Sequence, residues 1–343
     1  MRGHDIIVIG TSAGGVDALK RLVQGFPDDL AATVFVVQHL SRHASSYLPN
    51  ALTRAGPLPA EHPRDGRRFE RGHIYVAPPG AHLLLEHERM RLSAGPEENR
   101  HLPAIDPLFR SAAIAFGPRV IGVVLTGALN DGTAGLWAVK QRGGIAVVQE
   151  PRDAFNPSMP ESALAAVDVD ACLPLADMPA YLAQMAREPA PPERDFPAWP
   201  ELKLETEVAM GQSASDPEQQ PGVQSLFTCP TCKGPLWEVN DGRLLRYRCQ
   251  IGHAFTSDAL MASQADAVDA ALWTALETLE QRERMAERMA ARARQDRRMH
   301  AARYFEAQAR DTSHKIETLR QLLLRSGLRE SEEQMGEQQE AGE

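Results

Sequence analysis

Between Asp5 and about Ala186, short β-branched apolar runs alternate with helix-period segments, and few architectures accommodate that order. Residues 6–9, 33–37, 120–125 and 145–148 read as strands buried on both faces. Between the first two, Leu19, Leu22, Val23 and Phe26 recur at i, i+3, i+4 and i+7, which is one face of a helix laid on a sheet. This βαβ order predicts an α/β fold, a doubly wound and mostly parallel sheet with helices on both faces. Residues 73–77 and 83–92, separated by Pro78, Pro79 and Gly80, predict an antiparallel hairpin at one side.

The remainder divides by composition. Residues 187–222 carry Pro189, Pro191, Pro192, Pro197, Pro200, Pro217 and Pro221 among polar residues, which predicts a flexible linker after a catalytic domain over 1–186. A small Cys/His module follows over 223–256. Residues 257–328 then read as a long α-helical hairpin turning near residues 297–301 and ending at Gly327. The segment 329–343 holds six Glu against one Arg and reads as a disordered acidic tail.

The first strand ends in Gly10-Thr11-Ser12-Ala13-Gly14-Gly15, which two chemistries could use. A dinucleotide-binding turn needs glycine where Ser12 stands. The same residues satisfy G-x-S-x-G, in which a sharp strand-to-helix turn exposes a serine hydroxyl. A serine nucleophile needs a base. Of the 11 histidines, His39 is set apart by following the second predicted strand; His43, His62, His82 and His87 read as surface residues. Asp131, in the loop after residues 120–125, could cap the next helix or face the same crevice. Ser12, His39 and Asp131 all fall at carboxyl ends of parallel strands, where ligand sites of open α/β sheets form.

Gly10-Thr11-Ser12-Ala13-Gly14-Gly15, Gln38-His39, Val76-Ala77-Pro78, Asn99-Arg100-His101 with Pro103 and Asp106, Leu125-Thr126-Gly127, Asn130-Asp131-Gly132 and Met159-Pro160 occur in an order that resembles the catalytic domain of CheB-type protein-glutamate methylesterases. The resemblance covers about residues 3–186. It implies hydrolysis of γ-glutamyl methyl esters on the cytoplasmic helices of methyl-accepting chemoreceptors, and often deamidation of receptor glutamines. It also implies a triad at Ser12, His39 and Asp131. The mechanism then places oxyanion donors at the backbone N–H groups of Ala13 and Ala128. Where the family usually has Thr and Met-Gly, this sequence has Ala13 and Ala128-Leu129. Well-studied members carry a receiver domain; the catalytic pattern here begins at Asp5, so activation by phosphorylation within this chain is not expected. A catalytically silent scaffold recruiting signalling partners through the C-terminal half is the competing reading.

Cys229, Cys232, Cys249 and His253 give C-x2-C-x16-C-x3-H, the spacing of a tetrahedral zinc ribbon. With four protein ligands such an ion has no open position, so zinc would be structural and catalysis needs no cofactor. Cys172 is isolated and reads as a buried small hydrophobe. The net charge of −9 lies largely in the acidic tail and no basic face dominates, which argues against a nucleic-acid partner. Without a signal peptide or an apolar run of membrane length, the sequence predicts a cytoplasmic protein with no membrane insertion.

Overall fold

The structure is a computed structural model that describes residues 3–42, 46–211, 222–241 and 244–340, and the backbone alone at 240–241 and 325–340. His43, read above as a surface residue, lies outside the described residues. Two compact units divide at Met261 and Ala262.

In the first unit the elements run β1 (Ile6–Thr11), α1 (Gly15–Gln24), β2 (Thr33–Gln38), α2 (Leu48–Ala55), β3 (Ala60–Glu61), β4 (Ile74–Val76), β5 (His82–Glu86), β6 (Arg89–Ser93) and α3 (Ile105–Phe116). They continue through β7 (Val120–Val124), α4 (Thr133–Gln141), β8 (Ile145–Gln149), α5 (Ser158–Ala166), β9 (Ala171–Leu173), α6 (Met178–Met185) and α7 (Pro200–Ala209). The small module supplies β10 (Val223–Thr228), β11 (Pro235–Asp241), β12 (Leu244–Cys249) and β13 (Ala254–Thr256), after which α8 (Ser257–Gln295) and α9 (Met299–Glu340) follow.

Seven strands form one sheet in the order β3-β4-β2-β1-β7-β8-β9, every neighbouring pair parallel. Successive residues of β1 serve opposite faces. Ile6 and Val8 pack with Leu108, Phe109 and Leu136 of α3 and α4, whereas Ile7 and Ile9 pack with Leu19, Leu22, Leu52 and Met178 of α1, α2 and α6. Burial on both faces is why these strands read as unbroken apolar runs. The chain leaves β1 toward β2 on one side and later returns to β7 on the other, so the sheet reverses its winding between β1 and β7. A crevice opens at the carboxyl ends of strands at such a point.

Several expectations need correction. Residues 74–76 join the parallel sheet beside β2, and the hairpin is β5 with β6 alone. Pro78-Pro79 ends β4 instead of forming a hairpin turn. The 187–222 segment is not a free linker throughout, because α7 lies within it, with Pro200 at the first turn and Leu202, Val208 and Ala209 buried. Proline at that position costs no helical hydrogen bond. Cys172 is exposed, since β9 is an edge strand and that residue faces outward.

Within the second unit, α8 and α9 are joined near Arg297, whose φ is 58°. Arg320 pairs with Glu280 at 2.6 Å, Arg294 pairs with Glu306, and Arg282 donates to Gln308, as an antiparallel hairpin requires. The backbone of α9 continues to Glu340, past the end expected at Gly327 and into the segment read as a disordered tail. The two glycines of this helix, Gly327 and Gly336, cost only about 1 kcal/mol each, and Glu and Gln are good helix formers. Among the described residues, no helix is long and apolar enough to cross a membrane.

Candidate active site

The turn after β1 is clamped from two neighbouring strands. Ser12 N–H donates to Thr126 O at 3.0 Å, Gln38 Nε2 donates to Ser12 O at 2.8 Å, and Gly15 N–H donates to the same carbonyl at 2.9 Å. Thr126 Oγ1 donates to Ala13 O at 2.9 Å. Gly14 takes φ 74°, a left-handed conformation that glycine adopts freely, and so bends the chain into α1. Opposite it, a Cβ at Gly127 would lie 2.1 Å from Met159 Sδ and 2.8 Å from Ser12 Cβ, so only glycine lets that loop close on Ser12. Side-chain and backbone needs of the turn are thereby met without using the Ser12 hydroxyl, which makes no hydrogen bond among the described residues.

His39 follows β2, and its N–H donates to Thr11 O at 3.1 Å, one residue before Ser12. Its Nε2 donates to Asp131 Oδ2 at 2.7 Å, with both side chains almost wholly buried. Its Nδ1 is buried and has no partner among the described residues. A proton held on Nε2 by the carboxylate leaves the lone pair on Nδ1, the nitrogen then able to act as a base.

Asp131 does not serve mainly as a cap for α4. Its Oδ2 also accepts from Ile105 N–H at 2.7 Å, and its Oδ1 accepts from Asn99 Nδ2 at 2.9 Å, Gly132 N–H at 3.0 Å and Asp106 N–H at 3.3 Å. Ile105 and Asp106 open α3, so the carboxylate sits at the positive end of that helix. Burial by itself would raise its pKa; the His39 hydrogen bond and charge, with the Ile105 N–H, hold it well below the usual carboxylate range instead. Asp106 moves the other way. Burial and the Asp131 charge push it up to about 7.

His101 stacks on His39 with ring centroids 3.5 Å apart. Burial and the adjacent His39 lower its pKa from 6.5 to about 4. A folded value below the unfolded one means that His101 contributes stability above pH 6.5 and loses it as the pH falls toward 4. At about 1.4 kcal/mol per pKa unit, wild-type protein should lose about 3 kcal/mol between pH 7 and 4 from this group. Denaturant titrations of His101→Gln should show a decline smaller by that amount, and an equal decline would remove His101 from the account.

Of the expected oxyanion donors, neither Ala13 N–H nor Ala128 N–H is taken up by a hydrogen bond among the described residues, whereas the neighbouring Gly127 N–H donates to Asn156 O. Gln38, Asn99, Ile105 and Thr126 were not singled out for their roles by the sequence; Gln38, Asn99 and Thr126 appeared only as letters of larger motifs. His82 corrects a surface reading, being fully buried, with Nδ1 accepting from Ala104 N–H and Nε2 donating to Pro96 O.

Comparison with known proteins decides the family. The CheB methylesterase family profile matches residues 7–182. The chain belongs to the CheB methylesterase family. A Leptospira interrogans protein carrying the protein-glutamate methylesterase/protein-glutamine glutaminase name is 36% identical over 173 residues, which are 50% of this chain and 90% of that protein. A Geobacillus kaustophilus protein of the same name is 36% identical over 53% of this chain, and the match spans only 54% of that relative. Among solved structures, the Thermotoga maritima CheB methylesterase catalytic domain superposes with a TM-score of 0.52 at 29% identity, covering 54% of this chain and 99% of that domain.

Beyond the span matched to CheB, Cys229, Cys232, Cys249 and His253 converge, with ligand atoms all within 4.8 Å of one another. Cys232 Sγ and Cys249 Sγ are 3.6 Å apart, and His253 Nδ1 lies 3.5 Å from Cys249 Sγ and 3.7 Å from Cys229 Sγ. A tetrahedron of zinc–sulfur bonds near 2.3 Å has edges of about 3.8 Å, so the donor set fits that ion.

Proposed function

We propose that this chain hydrolyses γ-glutamyl methyl esters on the cytoplasmic helices of methyl-accepting chemoreceptors, and deamidates receptor glutamines by the same route. Ser12 is the nucleophile, His39 the base and Asp131 the group that fixes the imidazole tautomer. His39 Nδ1 takes the Ser12 proton as the hydroxyl oxygen attacks the ester carbonyl, and the Ala13 and Ala128 N–H groups receive the charge on the former carbonyl oxygen. His39 then returns its proton to the leaving methoxide, methanol departs, and water, activated by the same nitrogen, releases glutamate from the acyl-enzyme. Catalytic hydrogen bonds commonly tighten only with substrate present, so a free Ser12 hydroxyl suits the starting state.

The supporting observation is the buried 2.7 Å pair of His39 Nε2 and Asp131, formed where the sheet reverses its winding and leaving Nδ1 without a partner. No second residue pair in the crevice offers the same arrangement among the described residues. A serine-directed fluorophosphonate, mapped by peptide mass spectrometry, should label Ser12 and stop methanol release from methylated receptor in proportion to labelling. Full turnover of the labelled protein would reject the assignment.

A further inference from the structure

The Cys/His module touches the active-site framework directly, and the point of contact is Asn99. Asn99 is buried with φ 49°, and its Nδ2 donates to both Asp131 Oδ1 and Asp106 Oδ2. Two of its other polar groups, the backbone N–H and Oδ1, face the module. Asn99 N–H donates to Ala254 O at 2.8 Å, and its Oδ1 accepts from Thr256 N–H at 2.9 Å. The neighbour of Asp131 is held by the same strand, since Thr256 Oγ1 donates to Asn130 Oδ1 at 2.5 Å, while Asn130 Nδ2 donates to Asp258 at 2.7 Å. β13 therefore grips Asn99 and Asn130, one on each side of the catalytic carboxylate.

β13 begins at Ala254, immediately after His253. Cys249 N–H donates to His253 O at 3.0 Å and Gly252 N–H to Cys249 O at 2.9 Å, so the backbones of two of the four candidate ligand residues form the turn from which β13 leaves, and their side chains converge beside it. A buried charge cluster fixes the rest of the contact. Glu98, next to Asn99, accepts from Arg110 of α3 at 2.6 and 2.7 Å and from Arg248 of β12 at 3.3 Å, while Arg246 makes a two-pronged pair with Glu205 of α7. Charges buried at this depth hold one geometry because each loses heavily when its partner moves.

We infer that Cys229, Cys232, Cys249 and His253 bind a structural zinc ion, and that the metal-set ribbon positions Asp131 through Asn99, making ester hydrolysis depend on metal occupancy of a site that takes no part in the chemistry. The inference rests on the methylesterase reading for its kinetic consequence but not for its structural one. Asn99 is a positioning residue here: it acts through Asp131 and touches no substrate.

The test uses the full chain. Purified protein should carry one zinc per chain. Chelation, or Cys232→Ser, should lower kcat for methylated receptor about tenfold with KM changed less than twofold, and zinc should restore the chelated wild type but not the variant. In metal-free protein Asn99→Ala should cost less than twofold more, because the route through Asn99 is already lost; independent, multiplying losses would overturn the coupling. Hydrogen exchange at Ile105, Asp106 and Gly132, whose N–H groups donate to Asp131, should quicken at least tenfold on metal loss. Unchanged exchange and unchanged kcat in folded, metal-free protein would overturn the inference while leaving the esterase reading intact. A zinc-loaded wild type without esterase activity would reject that reading instead, and the exchange rates would still decide the brace. Should chelation unfold the whole protein, Thr256→Val decides: retained fold with about threefold lower kcat supports the brace, and unaltered kcat rejects it.

Discussion

Ser12→Ala is expected to lower kcat for methanol release about a millionfold, the scale on which removal of a serine nucleophile abolishes a triad's function. KM should stay near the wild-type value, since the hydroxyl is needed for bond formation and not for holding a receptor helix. The fold should hardly respond. Ser12 O is engaged by Gln38 and Gly15 and its N–H by Thr126, all through backbone atoms that alanine keeps. A far-ultraviolet spectrum and unfolding midpoint close to wild type, beside lost turnover, would separate this role from a structural one. Residual activity within tenfold of wild type would place the nucleophile elsewhere and leave the Gly10–Gly15 turn without a catalytic part.

The experiment also bears on what the sequence made legible. The central strands could be read because both their faces are buried, which removes polar residues from them altogether. Their carboxyl ends pointed to Ser12, His39 and Asp131, and of these His39 and Asp131 are joined by a hydrogen bond of 2.7 Å. What escaped was set by tertiary context. α7 was hidden because seven prolines dominate residues 187–222, although Leu202, Glu205 and Val208 mark one buried face. His82 was hidden because its partners are backbone groups of a distant loop. Asn99 carries no periodic signal at all: its role comes from a left-handed backbone and from Thr256, 157 residues further along the chain. The C-x2-C-x16-C-x3-H spacing identified the module's donor set, but nothing in that spacing reported the surface on which the module sits.

Asp131→Asn is the more demanding substitution, because it changes one atom and should nevertheless lower kcat about ten-thousandfold, the cost of holding the imidazole in the wrong tautomer. The count of donors explains why. Five groups donate to the carboxylate: His39 and Ile105 to Oδ2, and Asn99, Gly132 and Asp106 to Oδ1. Asparagine has a single acceptor oxygen. If its amide nitrogen takes the place of Oδ2, Ile105 N–H loses its acceptor and His39 shifts its proton to Nδ1 to accept from the amide; if it takes the place of Oδ1, three donors lose theirs. Each buried donor left without a partner costs about 1 to 3 kcal/mol, so even with the amide in the better orientation the variant should lose about 1 to 3 kcal/mol of stability at pH 7. The pH dependence supplies an independent check. The folded pKa of Asp131 lies below its unfolded value near 3.8, so the carboxylate contributes its stability above that pH and loses it on acidification below it. The stability gap between wild type and variant should accordingly shrink below pH 4 in denaturant titrations, whereas between pH 7 and 4 it also carries the titration of Asp106, whose pKa burial and the Asp131 charge raise. A variant that keeps wild-type kcat within tenfold, or a gap that widens below pH 4, would mean that Asp131 is neither the orienting group nor ionised in the folded protein.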